Sequence, residues 1–239
     1  MYSVHVGAAT HAGRVRGKNE DAYYATPPLL AVADGMGGHA AGEVASQLAV
    51  GTLASWPRWD NPEQDLWSSI LQANRRIYQR AFSDEAYEGM GTTLTAAHLS
   101  QQSLFWAHVG DSRLYLMRNG TLIRQTCDHS VVGELQRSGN LTENEARSHP
   151  HRNVLTRALG IGEAVTVDRG VLQLKIGDRL LLCTDGLHGC VPEERIARVL
   201  AQTEQPQIAV TNLIHQANRL GGPDNITVIV ADITGGDLQ

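Results

Sequence analysis

Cysteine is scarce in this chain of 239 residues: Cys127, Cys183 and Cys190 are an odd set with no CxxC spacing. That argues against a disulfide framework and for a reducing compartment. Cys183, inside the run Leu180 to Thr184, is expected in the core. Long apolar runs are also missing. None approaches the ~18 residues of a membrane span, and Met1 to His5 lacks a basic segment followed by an apolar one. The expectation is a soluble, cytoplasmic protein. Charge of one sign does not dominate either: 20 basic residues face 25 acidic ones, a formal charge of -5. That balance offers no general attraction to nucleic acid or to anionic membrane. There is no Walker-type loop, no HExxH-like set among the ten histidines and no Cys-x5-Arg loop, which disfavours nucleotide hydrolysis, zinc chemistry and a cysteine phosphatase. No internal repeat, low-complexity tract or long linker breaks the chain, and only Thr234 to Gln239 reads as an untethered end. With 42% hydrophobic residues, one domain over 1–239 is expected.

What is present is periodic. Ala41, Val44, Ala45, Leu48 and Ala49 recur at helical spacing and predict a helix over about 40–54. A second helix should start at Asn61, with Pro62 at its first position, Gln64 closing a capping box, and Leu66, Ile70, Ala73 and Ile77 on its buried face. The two should be antiparallel neighbours. Between Thr92 and Thr126 the texture turns to short β runs: 104–109, 113–118 and 121–125. Asn119-Gly120 supplies the positive φ values of a type I′ hairpin turn. Further strands are expected at 165–174, 179–184 and 226–233, and helices at about 193–201 and 206–219, the last ended by Gly221-Gly222. The segment from about 128 to 160 reads as polar loop with two short helices, the second opened by Thr142 to Glu145 and stopped before Pro150, and is expected to act as a flap. Strands grouped together and helices in pairs predict antiparallel sheets covered by antiparallel helices, an α+β fold.

Three acidic residues stand out because each sits at a strand end beside glycine. Asp34 follows Leu29 to Ala33 and precedes Gly35-Met36-Gly37-Gly38; Asp185 follows Arg179 to Thr184 and precedes Gly186; Asp224 follows Gly221-Gly222-Pro223 and enters the strand at Ile226. Taken singly, each is equally an ordinary turn pair. Together, antiparallel pairing allows them to meet at one mouth of a sandwich. Clustered carboxylates repel one another unless a cation compensates, and oxygen-only ligation favours Mg²⁺ or Mn²⁺ over zinc. Arg16, with Glu20 and Asp21 in the same segment, adds a guanidinium able to hold two phosphate oxygens at once. Alone, that segment would be a solvated turn.

Over nearly its whole length the chain resembles the PPM family, the metal-dependent protein phosphatases of the protein phosphatase 2C type. The likeness rests on Arg16 to Ala22, Asp34 to His39, Gly91-Thr92-Thr93, Val109 to Arg113, Asp128-His129-Ser130, Asn153 to Gly160, Gly177 to Leu187 and Gly222 to Asn225. The resemblance implies a four-layer αββα sandwich, two central antiparallel sheets flanked by pairs of helices, with two Mn²⁺ or Mg²⁺ ions at one end. It implies that Asp34 bridges both ions, that the Gly35 carbonyl joins it on the second, and that Asp185 and Asp224 complete the first. Glu20 and Asp21 would act through bound waters, and Asp111, with Asp185, would serve a third, weaker ion. A water bridging cations about 3.5 to 4 Å apart would attack phosphorus, while Arg16 and the ions offset phosphoryl charge.

The implied activity is hydrolysis of phosphoserine and phosphothreonine on proteins, reversing a bacterial Ser/Thr kinase. Phosphorylated proteins and a cognate kinase are the implied partners, with no nucleic acid. One departure stands out: eukaryotic members commonly carry His where this chain has Met36, which cannot donate a proton. A metal-bound water near Asp111 ranks ahead of His39 as the leaving-group acid, and His129 is expected to be structural. Two other readings are a catalytically silent phosphoprotein-binding module on the same fold and a hydrolase of small phosphoesters. Retention of Arg16, Asp34, Asp111, Asp185 and Asp224 argues against the first.

Overall fold

The computed structural model describes residues 2–37, 41–142, 145–146 and 149–235. Among these, eleven strands form two antiparallel sheets. The first takes β1 (Tyr2–His11), β11 (Ile226–Gly235), β10 (Arg179–Cys183), β7 (Arg113–Arg118) and β8 (Thr121–Arg124) in that order. The second takes β2 (Asp21–Thr26), β3 (Leu29–Met36), β5 (Leu94–Ser100), β6 (Ser103–Val109) and β9 (Asp168–Gln173), with the two-residue β4 (Gly91–Thr92) added to β3. Helices α1 (Ala41–Ala54) and α2 (Pro62–Ser83) cover the second sheet, while α5 (Glu193–Gln202) and α6 (Pro206–Arg219) cover the first. Two short helices, α3 (Val131–Arg137) and α4 (Asp185–His188), lie in connections.

The layering explains why the central strands read as continuous apolar runs: both of their faces are buried. On β3, Leu29, Ala31 and Ala33 face α1 and α2, whereas Leu30 and Val32 face the opposite sheet. The same split divides β10, with Leu181 and Cys183 toward α5 and α6 and Leu180 and Leu182 toward the sheet interface. Each fully buried Leu or Ile side chain contributes about 1.5–3 kcal/mol. The three apolar layers therefore hold the frame on which the loops at the sandwich end are mounted.

The predicted helices and hairpin are present. Asn119 and Gly120 have φ of 52° and 77° between β7 and β8. The α2 cap differs in one detail. Asn61 accepts from the Gln64 N–H, but its own N–H donates to Asp65 Oδ2 at 2.8 Å, and Gln64 turns to Ser68. The reciprocal partner is one residue further on because a carboxylate makes the stronger acceptor for that N–H. Like β2 and β5, strand β1 has no counterpart among the predicted elements. Its residues are mostly half-buried at a sheet edge, so its apolar alternation is weak. Segment 128–160 is pinned at both ends: Val131 N–H donates to the Val154 carbonyl, Thr156 N–H to the His129 carbonyl, and Thr92 and Leu159 pair across a β-bridge. Ser130 caps α3 through the Gly133 N–H. Thr142 and Glu145 make the hydrogen bonds of the expected capping box; residues 143, 144, 147 and 148 of that second helix lie outside the described residues.

Candidate metal centre

The acidic residues arrive at one end of the sandwich from both sheets. Asp34 is near the end of β3, and Asp21 is its direct cross-strand partner on β2. Asp185 opens α4 immediately after β10, Asp224 lies in the turn entering β11, and Asp111 lies in the turn between β6 and β7. Asp34, Gly35, Asp111, Asp185 and Asp224 line a cavity of about 410 Å³, with Glu20 and Arg16 on its wall. Asp21 is not part of that lining. It is wedged between the sheets, where its Oδ2 accepts from Thr184 Oγ1 at 2.8 Å and Thr227 Oγ1 at 2.6 Å.

Backbone hydrogen bonds set the frame of each acid. The Asp34 N–H donates to Thr93 Oγ1 at 2.9 Å, and its carbonyl accepts from Thr92 Oγ1 at 2.8 Å. His188 Nε2 donates to the Asp111 carbonyl at 3.0 Å. Asn225 staples the loop that carries Arg16: its amide donates to the Ala12 and Lys18 carbonyls, and its Oδ1 accepts from the Glu20 N–H. Gly35 is required by close approach, since a Cβ there would collide with the Gly42 carbonyl at the start of α1. The sequence pattern assigns no positioning role to Thr184, Thr227 or Asn225. Asn225 and Thr184, each beside a singled-out aspartate, were the available signal.

Burial raises every acid of the cluster for which a shift is resolved. It pushes Asp21 up to about 7 against its two threonine hydrogen bonds, and Asp185 up to about 6 with help from the Asp224 charge. Asp34 and Asp111 stand well above the ordinary carboxylate range, through burial and then the neighbouring acids. Glu20 is raised chiefly by burial. Arg16, which lines the cavity together with Arg157, donates to Asp224 Oδ2 at 2.8 Å; that hydrogen bond is the main cause of its raised pKa. More than half of the Arg16 side chain is exposed, so this bond leaves the guanidinium free to exchange partners. Asp21 Oδ1 and Asp185 Oδ1 are buried without any hydrogen-bond partner. Leaving such an atom unpaired costs about 1–3 kcal/mol, more for a charged group.

Packed, mutually repelling carboxylates with orphaned oxygens fit a hard divalent cation, whose charge would return them to the ionised state. Among the described residues, no three His, Cys, Asp or Glu side chains form a ready-made shell by themselves. The Gly35 carbonyl and water would supply the other ligands, as Mg²⁺-like ions commonly require. The donor set contains no thiolate, and His188 is engaged by its Nε2 on the Asp111 carbonyl.

A second cavity, of about 320 Å³, adjoins the first on the side of segment 128–160 and shares Asp111, Asp185 and Asp224 with it. It also exposes Arg113 and Asp128, which form a buried pair with contacts of 2.6 to 3.2 Å; Tyr115 and Glu193 complete the network. His129 accepts the Gly110 N–H on Nδ1 and lies 3.1 Å from Asp168, a structural placement. His149 and His151 are not fully buried and lie in turns of the same segment. His39 lies outside the described residues.

A sequence model of the family Protein phosphatase 2C matches residues 14–216. The serine/threonine protein phosphatase PstP of Mycobacterium tuberculosis is 44% identical over 236 residues, 96% of this chain but 45% of that protein, so the chain spans less than half the length of this relative. The serine/threonine phosphatase stp of Listeria welshimeri is 40% identical and is matched over 96% of both chains. The crystal structure of the PstP catalytic domain in complex with two manganese ions superposes with a TM-score of 0.91 at 39% identity, covering 98% of this chain and all of that one. The four-layer frame, the carboxylates gathered at its end and these likenesses agree, and the chain belongs to the protein phosphatase 2C family.

Proposed function

We propose that this chain hydrolyses phosphoserine and phosphothreonine on proteins at the carboxylate-lined cavity, with Mn²⁺ or Mg²⁺ as cofactor. The observation that carries the reading is the cluster of Asp34, Asp111 and Asp185 at this cavity, raised in pKa by burial and neighbouring acids, with no arginine or lysine in an ion pair with any of the three among the described residues. Asp34 and the Gly35 carbonyl would hold one ion, Asp34 with Asp185 and Asp224 the other, and Asp111 with Asp185 a third, weaker one; Glu20 and Asp21 would act through water. When bound, such ions supply Lewis acidity that activates water and offsets charge on phosphoryl oxygens. Arg16 leaves Asp224 for the substrate, where its two-pronged donor grips the phosphoryl group. Asp21, tied to Thr184 and Thr227, locks the two sheets together behind the cavity. Segment 128–160 borders both cavities and is placed to touch residues flanking the phosphorylated side chain.

The relatives named above as serine/threonine phosphatases support this substrate class. In the same reading residues 1–239 form one catalytic domain, which works in the cytoplasm and reverses a Ser/Thr kinase. No helix among the described residues is long and apolar enough to cross a membrane. The test is hydrolysis of an aryl phosphate and of phosphothreonine peptides before and after chelation. Activity is expected to vanish with EDTA and return with Mn²⁺ or Mg²⁺; full activity in excess EDTA sinks the reading.

A further inference from the structure

Most buried or half-buried arginines of this protein are matched to a carboxylate: Arg113 to Asp128, Arg118 to Asp178, Arg179 to Asp232. The outer helical layer carries exposed arginines instead. On α5, Arg195, Arg198 and Gln202 fall three and four residues apart and form one stripe, and on α6 Arg219 lies three residues after Gln216 and four after His215. These residues line a groove of about 500 Å³. No Asp or Glu belongs to its lining, and among the described residues Arg195, Arg198 and Arg219 have neither an ion pair nor a side-chain hydrogen bond. Three arginines thus line one groove with no acid in its lining, on a chain whose formal charge is -5.

We propose that this groove binds a phosphorylated segment of another protein. A phosphoryl group carries close to two charges and three acceptor oxygens, which matches several guanidinium forks better than a single carboxylate does. Gln202 and Gln216 add neutral donors beside them. The lining has no Phe, Tyr or Trp on which a nucleobase could stack, and the acidic remainder of the molecule repels a polyanionic strand. The groove shares no lining residue with either carboxylate cavity, so the phosphate is held there and not hydrolysed. This assignment is independent of the hydrolytic reading, because it concerns binding at a different face.

The test is a titration of the metal-stripped, ¹⁵N-labelled full chain with a phosphothreonine peptide, followed by NMR at the arginine Nε–Hε and at α5 and α6 backbone signals. Parallel titrations use the unphosphorylated peptide, inorganic phosphate and a single-stranded oligonucleotide. The phosphopeptide is expected to shift the Arg195, Arg198 and Arg219 signals. Arg195→Gln/Arg198→Gln should weaken that binding about fivefold, the sum expected of two exposed charge pairs. Silence of these signals overturns the proposal, as does equal binding of the unphosphorylated peptide, of phosphate alone or of the oligonucleotide. The wild-type titration decides the matter even if the double variant folds poorly.

Discussion

Two kinds of carboxylate border the same cavity: Asp128 on one hand, Asp111 and Asp185 on the other. Asp128 meets Arg113 through three hydrogen bonds, and although burial alone would raise it, the Arg113 charge and those bonds hold it well below the ordinary carboxylate range. Asp34, Asp111 and Asp185 are raised, by burial first and then by neighbouring acids, with no arginine paired to them. Burial is common to both groups; the partner differs. A carboxylate whose partner is encoded in the chain is structural, whereas carboxylates that repel each other at a cavity mark the place of a cation from outside.

The sharpest way to break this contrast is to neutralise one member on each side. Asp34→Asn should lower phosphopeptide turnover on the order of a thousandfold, the scale seen when a site loses a key stabilising group. Asp111→Asn should lose less at saturating Mn²⁺. In chelator, thermal unfolding of Asp34→Asn should come at a higher temperature than in wild type, because the cost of holding that carboxyl beside other acids away from water is gone; a lower temperature would mean that Asp34 is structural. Asp128→Asn should do the reverse. It leaves Arg113 buried and poorly paired, a loss of about 3–5 kcal/mol in denaturant unfolding. A neutral result there would erase the distinction between the two groups.

A smaller effect concerns His108, which is fully buried, donates to the Cys127 carbonyl and is pushed down to about 4, mainly by burial and then by His129. The fold favours the neutral ring, so as pH falls below about 6.5 the unfolded chain takes up a proton that the folded one refuses. Stability is therefore lost between about 6.5 and about 4, on the order of 3 kcal/mol. The stability advantage of wild type over His108→Gln should shrink across that window, and a pH-independent difference would refute the assignment. The smallest effect is expected for Arg16→Ala: a rise in KM for phosphopeptides of about tenfold with unchanged thermal stability, as befits an exposed clamp. An unchanged KM with a lowered melting temperature would make its bond to Asp224 structural instead.

Much of this was legible in the chain. Helical spacing located α1, α2, α5 and α6, and the Asn-Gly turn located the β7–β8 hairpin, because each signal is local and each face is buried or capped within one element. Strand β1 was illegible because it is an edge strand whose residues are mostly half-buried. The Asn225 staple links residues about two hundred positions apart, beyond what a local pattern encodes.

The sequence by itself determined the residue types: oxygen ligands beside glycine at strand ends, too few cysteines for thiolate chemistry, and an arginine near the first acids. Only the tertiary structure decided which acids share a cavity and which have a partner. Asp34 and Asp185 reach the same space because β3 and β10 belong to different sheets that stack across one apolar layer, while Asp21, directly across from Asp34 on β2, is turned inward onto Thr184 and Thr227. The physical reason is that a carboxylate's pKa and its need for a cation depend on burial and on neighbours distant in sequence, and both come into being only when the sheets pack.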